Sequence, residues 1–272
     1  MPETFEKLEN NHSLLTFTKN GGQVLSWKTG NQQIFYQGSS QKRTGIPILF
    51  PFANPLDNNI FNFSGKEIPQ HGFARNSTWQ QAQISGSICK LSLNDKQIDP
   101  VWQAAYPFKF KLSLILDIST ENELKYKIQV QNLDSKDLPI APGIHPYFPI
   151  KHEQKKLLKI IDKSPFILNS GGQEIQFPLG ILDWENDLNG DFFTFNAKVL
   201  AKFPSGLNLE IEETSEVVDF RCLVIWSENK TMEDFNFVCL EPFSRITNGI
   251  NNDPILVKPG EIWEKEICFR VL

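Results

Sequence analysis

Histidine, glutamate and arginine recur in this chain within three short, widely separated segments rich in glycine, proline and aromatic residues. They are Gln70-His71-Gly72-Phe73-Ala74-Arg75, Gly143-Ile144-His145-Pro146-Tyr147-Phe148 and Cys239-Leu240-Glu241-Pro242-Phe243-Ser244. Histidine is the side chain whose unperturbed pKa lies near neutrality, so His145 can give and take a proton at working pH. Glu241 ends the apolar run Phe237-Val238-Cys239-Leu240. A carboxylate there is costly to desolvate unless it is paired or functional. Arg43 and Arg75 offer planar forks of donors suited to a carboxylate or phosphate. Each residue alone also has a plain structural reading: a satisfied core or turn histidine, a structural glutamate, a surface ion pair for either arginine. Together the three segments read as parts of one pocket on a strand-rich scaffold.

Period-2 alternation supplies that scaffold. Leu112, Leu114, Leu116 and Ile118 alternate with Ser113, Ile115 and Asp117, and Leu124, Tyr126, Ile128 and Val130 alternate with Lys125, Lys127 and Gln129. The two runs predict an antiparallel hairpin joined through residues 119–123. Further strands are predicted over residues 14–17, 24–27, 88–93, 207–211, 223–226 and 262–271. Turns fall at Gly21-Gly22, Asn189-Gly190, Asn248-Gly249 and Pro259-Gly260. Only residues 99–106 suggest a helix, a short one. Many short strands with regular turns mean an all-β sandwich or barrel, and periodicity does not choose between them. No repeat or linker interrupts the 272 residues, so one domain is the simplest count.

Composition narrows the partners. With 40% hydrophobic and 22% charged residues, a net charge of −5 and no basic run, the chain has the makeup of a soluble globular protein. It lacks the clustered Lys and Arg that nucleic acid or an anionic membrane would require. The four lysines of residues 151–159 read as a solvated loop. No apolar run approaches the roughly 18 residues of a membrane span, and residues 1–7 carry no leader pattern. The chain is expected in the cytoplasm. There Cys89, Cys222, Cys239 and Cys268, widely spaced and without a C-x-x-C pair, are expected to be buried thiols. Cys239, two residues before Glu241, either lines the pocket wall or packs behind it. The four histidines show no metal-ligand spacing, so no metal is expected.

The three segments, in this order, resemble the aldose 1-epimerase (galactose mutarotase-like) superfamily. An Arg before Gly-Ile-Pro (Arg43 to Pro47) and the run Gln70 to Arg75 resemble its hexose-6-phosphate mutarotase branch, although Thr44 stands where that branch usually has Gly. The resemblance runs from about Gly21 to the C-terminus. It implies a large antiparallel β-sandwich, with the sugar site on a concave sheet face, and interconversion of the α and β anomers of an aldose without a cofactor. By the same resemblance His145 is the general acid and Glu241 the general base. Gln70 and His71 then contact sugar hydroxyls, and Arg43 and Arg75 either hold an anionic substituent or clamp hydroxyl groups. Two aspartates resemble the family's substrate-binding one: Asp183 before Trp184, and Asp191 before Phe192-Phe193, of which one is expected to touch sugar. Trp184, Phe50 and Phe52 are candidate stacking platforms, with core packing as the equal alternative.

Two other functions fit the same scaffold. A non-catalytic carbohydrate-binding β-sandwich would keep the cleft but has no use for a matched acid and base. A glycoside hydrolase needs two carboxylates across the scissile bond, which Glu241 with Asp183 or Asp191 would have to supply. In every reading the partner is a small sugar or sugar phosphate, and no oligomeric state is implied.

Overall fold

Alternating apolar residues form the predicted antiparallel hairpin. In the computed structural model of the protein, Phe110–Asp117 runs antiparallel to Glu123–Asn132, with Leu112 opposite Val130 and Leu116 opposite Tyr126. The structure describes residues 5–161, 167–170, 173–176, 189–228, 230 and 232–272. This hairpin lies within an eight-stranded antiparallel sheet, in the order Lys159–Ile161, Lys198–Lys202, Asn208–Glu213, Ile262–Val271, Glu123–Asn132, Phe110–Asp117, Ile88–Asn94, Gln80–Ser85. The predicted helix is the single turn-and-a-half Pro100–Ala105. Asp99 caps it by accepting from the Val101 N–H, and proline at the first helical position needs no N–H partner.

The second large sheet holds, in order, Gln173–Gln176, Ile167–Ser170, Asn189–Thr194, Cys222–Trp226, Phe237–Phe243, Gly143–Ile144 and Ile48–Leu49, with Tyr147–Pro149 also pairing to Phe237–Phe243. All seven residues of Phe237–Phe243 are buried. Val238 and Leu240 join Leu223, Ile225, Tyr126, Ile267 and Phe269 in the large apolar core shared with the first sheet. Phe237, Cys239 and Glu241 alternate with them and so face the other way. That outer face is not bare either: Tyr147, Phe237 and Cys239 form a smaller cluster with Trp226 and Tyr36 against it. A strand covered on both faces reads as an unbroken apolar run, and here Glu241 is its one polar member. A four-stranded sheet, Phe5–Glu9, Ser13–Thr18, Gln23–Thr29, Gln32–Gln33, adds Leu8, Leu15, Phe17 and Trp27 to the core. Among the described residues no helix is long and apolar enough to cross a membrane. All four cysteines are free and buried.

Two expectations change. Asn189-Gly190 does not form a turn; both residues belong to the strand Asn189–Thr194, where the register against Cys222–Trp226 slips between Asn189 and Asp191. A glycine inside a strand marks such a bulge as readily as a turn. Residues 151–159 are not wholly solvated: Lys155 is 1% exposed. Its Nζ donates to the Glu228 carbonyl at 3.2 Å.

The loop bearing Arg43 depends on Gly45. Its φ is +63°, and a Cβ there would stand 1.9 Å from the Val24 carbonyl oxygen. The Gly45 carbonyl in turn accepts the Tyr147 N–H at 2.9 Å, and the Pro47 carbonyl accepts that of His145 at 3.0 Å. Gly65 has a similar φ of +67° but open space around it. Gly65→Ala should therefore cost about 1–2 kcal/mol, the left-handed backbone penalty alone, and Gly45→Ala clearly more, because backbone must move. Urea midpoints of the two variants check this; equal losses would mean that the Gly45 contact is not limiting.

Candidate active site

Strand pairing puts His145 opposite Glu241. Gly143 pairs with Phe243 and Tyr147 with Cys239 across one antiparallel ladder, so the residue midway on one strand faces the residue midway on the other. His145 Nε2 lies 3.4 Å from Glu241 Oε2. The histidine is 6% exposed and the glutamate 2%. Val224 and Trp226, opposite Glu241 and Cys239 on the next strand, continue the same surface. Tyr147 stacks on the His145 ring with centroids 4.7 Å apart, and Trp226 meets that ring edge-on at 5.6 Å. These residues floor a cleft of about 560 Å³ that is also lined by Lys42, Arg43, Gln70, His71, Arg75 and Asn54.

Burial orders the protons here. It drives the Glu241 pKa well above the usual carboxylate value, opposed by the nearby Arg75 charge. It drives His145 well below the usual imidazole value, helped by His71 and Arg75. Both directions disfavour charge, which favours a protonated carboxyl beside a neutral imidazole. The Tyr147 phenol is raised by burial and stays protonated.

His71 is fixed differently. Its backbone is left-handed, at φ +74°. Its Nδ1 lies 2.6 Å from the Ala53 carbonyl, which can only accept, so the proton is on Nδ1 and Nε2 is left as an acceptor. Burial, then the Arg75 charge, lower its pKa to about 4. A neutral imidazole with a free acceptor nitrogen suits a hydroxyl donor.

The two arginines are not equivalent. Arg43 Nη2 pairs with Glu228 Oε1 at 2.6 Å, and its Nη1 donates to the Asp234 carbonyl at 2.8 Å. Its guanidinium carbon lies 6.0 Å from the Trp226 ring centroid. The Asp234 carboxylate accepts from the Tyr36 hydroxyl, the Ser39 N–H and the Ser39 hydroxyl, which ties residues 36–39 to the same anchor. Thr44 suits this loop: its hydroxyl accepts the Gly38 N–H and donates to the Ser40 carbonyl. Arg75 has no hydrogen bond or ion pair among the described residues. Burial lowers its pKa, while Tyr147 and Glu241 act on it only through space.

Of the residues singled out from sequence, His145, Glu241, His71, Gln70, Arg43 and Arg75 converge on this cleft. Asp183 and Trp184 lie outside the described residues. Asp191 is placed by its backbone alone, opposite Ile225. Phe50 and Phe52 are not stacking platforms; both are core residues, fully covered. The aromatic walls are Tyr147 and Trp226 instead. Trp226 could have been found by pairing the 223–226 strand with the Glu241 strand, since alternation puts it on the Glu241 face. Glu228 and Asp234 have no local signal; they matter only because the fold brings them back onto Arg43. Glu241 is the one carboxylate among the described residues lining the cleft.

The aldose 1-epimerase family pattern matches residues 6–173, more than half of the chain. The chain belongs to the aldose 1-epimerase family. The match contains Arg43, His71, Arg75 and His145, and Glu241 lies beyond it. A Cenchrus ciliaris protein provisionally named a glucose-6-phosphate 1-epimerase is 26% identical over 93% of this chain and 79% of its own length. The fold is shared with the Slr1438 protein of Synechocystis sp. PCC 6803, at a TM-score of 0.84 and 25% identity over 100% of this chain and 96% of that one. It is shared also with a galactose mutarotase related enzyme from Lactobacillus acidophilus, at 0.82 and 19% over 99% and 97%. The architecture is thus that of the galactose mutarotase-like β proteins, and it extends past the family match to the strand that bears Glu241.

The lowered His71 pKa makes a stability prediction. Between about pH 4 and the unfolded value of 6.5 the unfolded chain binds more protons at this residue than the folded one. Its contribution is therefore whole above pH 6.5 and lost as pH falls toward 4. His71→Gln should flatten the fall of urea-unfolding free energy over that window. An unchanged slope would show that His71 is not held neutral.

Proposed function

We propose that the protein interconverts the α and β anomers of a hexose by general acid–base ring opening, with Glu241 as base and His145 as acid. The observation that carries this reading is their 3.4 Å separation on the cleft floor. The two oxygens that exchange protons, the C1 hydroxyl and the ring oxygen, are bonded to one carbon, so acid and base must stand almost together. A glycosidase instead separates its two carboxyl groups by about 5 Å or more.

The single proton of the pair makes the cycle balance. In the reactive form it sits on His145 and Glu241 is ionised; the Arg75 charge favours that carboxylate and opposes the imidazolium beside it. Glu241 takes the proton of the C1 hydroxyl while His145 gives its own to the ring oxygen, and the C1–O5 bond breaks. The pair is left as carboxylic acid and neutral imidazole, the form that burial favours. After the aldehyde turns about C1–C2, the same transfers in reverse close the ring on the other face. His71 Nε2 and Gln70 receive sugar hydroxyls, and Tyr147 and Trp226 supply flat apolar walls. No cofactor enters the scheme.

Arg75, half-buried at the cleft without a direct partner among the described residues, supports an anionic substituent on the sugar, a phosphate being the natural candidate. Arg43 also lines the cleft, but Glu228 already balances its charge, so its share in that contact is smaller.

Polarimetry of freshly dissolved α-glucose, α-galactose and glucose 6-phosphate tests the activity. Glu241→Gln and His145→Asn should each lower kcat at least about 100-fold in folded protein. A folded variant with near-normal rates would refute its assignment, and sugar binding without any acceleration would leave a binding module.

A charge-assisted hydrogen bond is worth about 1.5–3 kcal/mol. Arg75→Met should accordingly raise KM for glucose 6-phosphate by roughly 10- to 150-fold and scarcely alter glucose. Equal losses for both sugars would sink the phosphate reading.

A further inference from the structure

His145, Cys239 and Glu241 stand close enough together to share one ion. Their potential ligand atoms all lie within 4.8 Å of one another, and all three residues are buried. No sequence spacing reveals the group, because its members come from two strands. Cys239 and Glu241 are two apart on Phe237–Phe243 and so share a face, and His145 is delivered from across the ladder. None of the three is saturated by the protein. His145 Nδ1, the ring nitrogen turned away from Glu241, is buried without a hydrogen-bond partner among the described residues, and Nε2 faces Glu241 Oε2. The Cys239 thiol has no hydrogen bond among the described residues, and Glu241 has His145 as its one direct partner there.

We propose that His145, Cys239 and Glu241 form an inhibitory binding site for a soft divalent cation, Zn²⁺ foremost. Thiolate, imidazole and carboxylate are the donors zinc takes, at about 2.3 Å for sulfur and 2.0–2.2 Å for nitrogen and oxygen. Two such nitrogen and oxygen donors on one tetrahedral ion stand about 3.3 Å apart by that geometry, close to the 3.4 Å found between His145 Nε2 and Glu241 Oε2. The Cys239 sulfur lies within 4.8 Å of both other donors and must close to bonding distance on the ion. His145 and Glu241 line the cleft, so the ion enters from there and its fourth position faces the cleft. Binding displaces the thiol proton and the one held by the His145–Glu241 pair. The two negative ligands then cancel the two positive charges of the ion, and no net charge is buried. Because the ion occupies both nitrogen and carboxylate, the proton transfers proposed above stop. The inhibition rests on that reading; the binding does not.

The test uses the purified, metal-free full chain. Zn²⁺ titration in weak buffer should show one ion bound per chain with proton release. Co²⁺ should produce the intense near-ultraviolet thiolate-to-metal band of a sulfur-ligated site, and Mg²⁺ neither signal. Cys239→Ala should abolish the band and raise the Zn²⁺ needed for half-saturation at least tenfold. Where mutarotation is measurable, Zn²⁺ should abolish it and a chelator restore it, and the variant should keep its basal rate. Cys239→Ser is the alternative if the alanine variant fails to fold, with the same loss of the band. Absence of the band in the wild-type chain, or equal Zn²⁺ affinity in a folded Cys239 variant, overturns the site. A band and proton release without any mutarotation in metal-free protein would uphold the site and overturn the proposed function instead.

Discussion

A carboxylate sealed into the outer face of a doubly covered strand is the constraint on which the rest of the structure turns. Glu241 is 2% exposed, so its charge has almost no water to lean on. The desolvation of such a group is tolerable in two ways: hold a proton, or face an opposite charge. Both are provided, the first by the proton shared with His145 and the second by Arg75 at longer range. The pair is thereby balanced between two protonation states that differ by one short transfer.

Everything around the pair serves its placement. The ladder between Tyr147–Pro149 and Phe237–Phe243 sets the separation. The Pro47 and Gly45 carbonyls hold the backbone of His145 and Tyr147, which makes the Arg43 to Pro47 segment a brace for His145 as well as the carrier of an arginine. Asp234 gathers residues 36–39 and the Arg43 side chain at one point. Lys155 holds the carbonyl of Glu228, the residue that pairs with Arg43. The rim is thus a chain of side-chain contacts leading back to the sheet.

Much of this arrangement is legible in the amino-acid sequence. Alternation locates the hairpin Phe110–Asp117 with Glu123–Asn132, because burial there follows parity at every residue but Ser113 and Glu123. The three histidine, glutamate and arginine segments mark the cleft because glycine and proline beside a titratable group stand out locally. What stays hidden are contacts whose partners are close only after folding. Nothing near Glu228 or Asp234 announces Arg43, and nothing near Cys239 announces His145. Gly190 misleads, since one glycine serves a turn or a bulge equally well. Phe50 and Phe52 mislead because a ring that packs and a ring that stacks on a ligand have the same local neighbours.

The division between a sheet-borne pair and a loop-borne rim has a consequence for how such a protein can diversify. His145 and Glu241 are registered by main-chain hydrogen bonds, which are indifferent to side-chain identity. The rim around Arg43, Glu228 and Asp234 is held by side chains, and one substitution there can redraw the opening. A lineage can therefore reshape the mouth of the cleft without disturbing the spacing of His145 and Glu241.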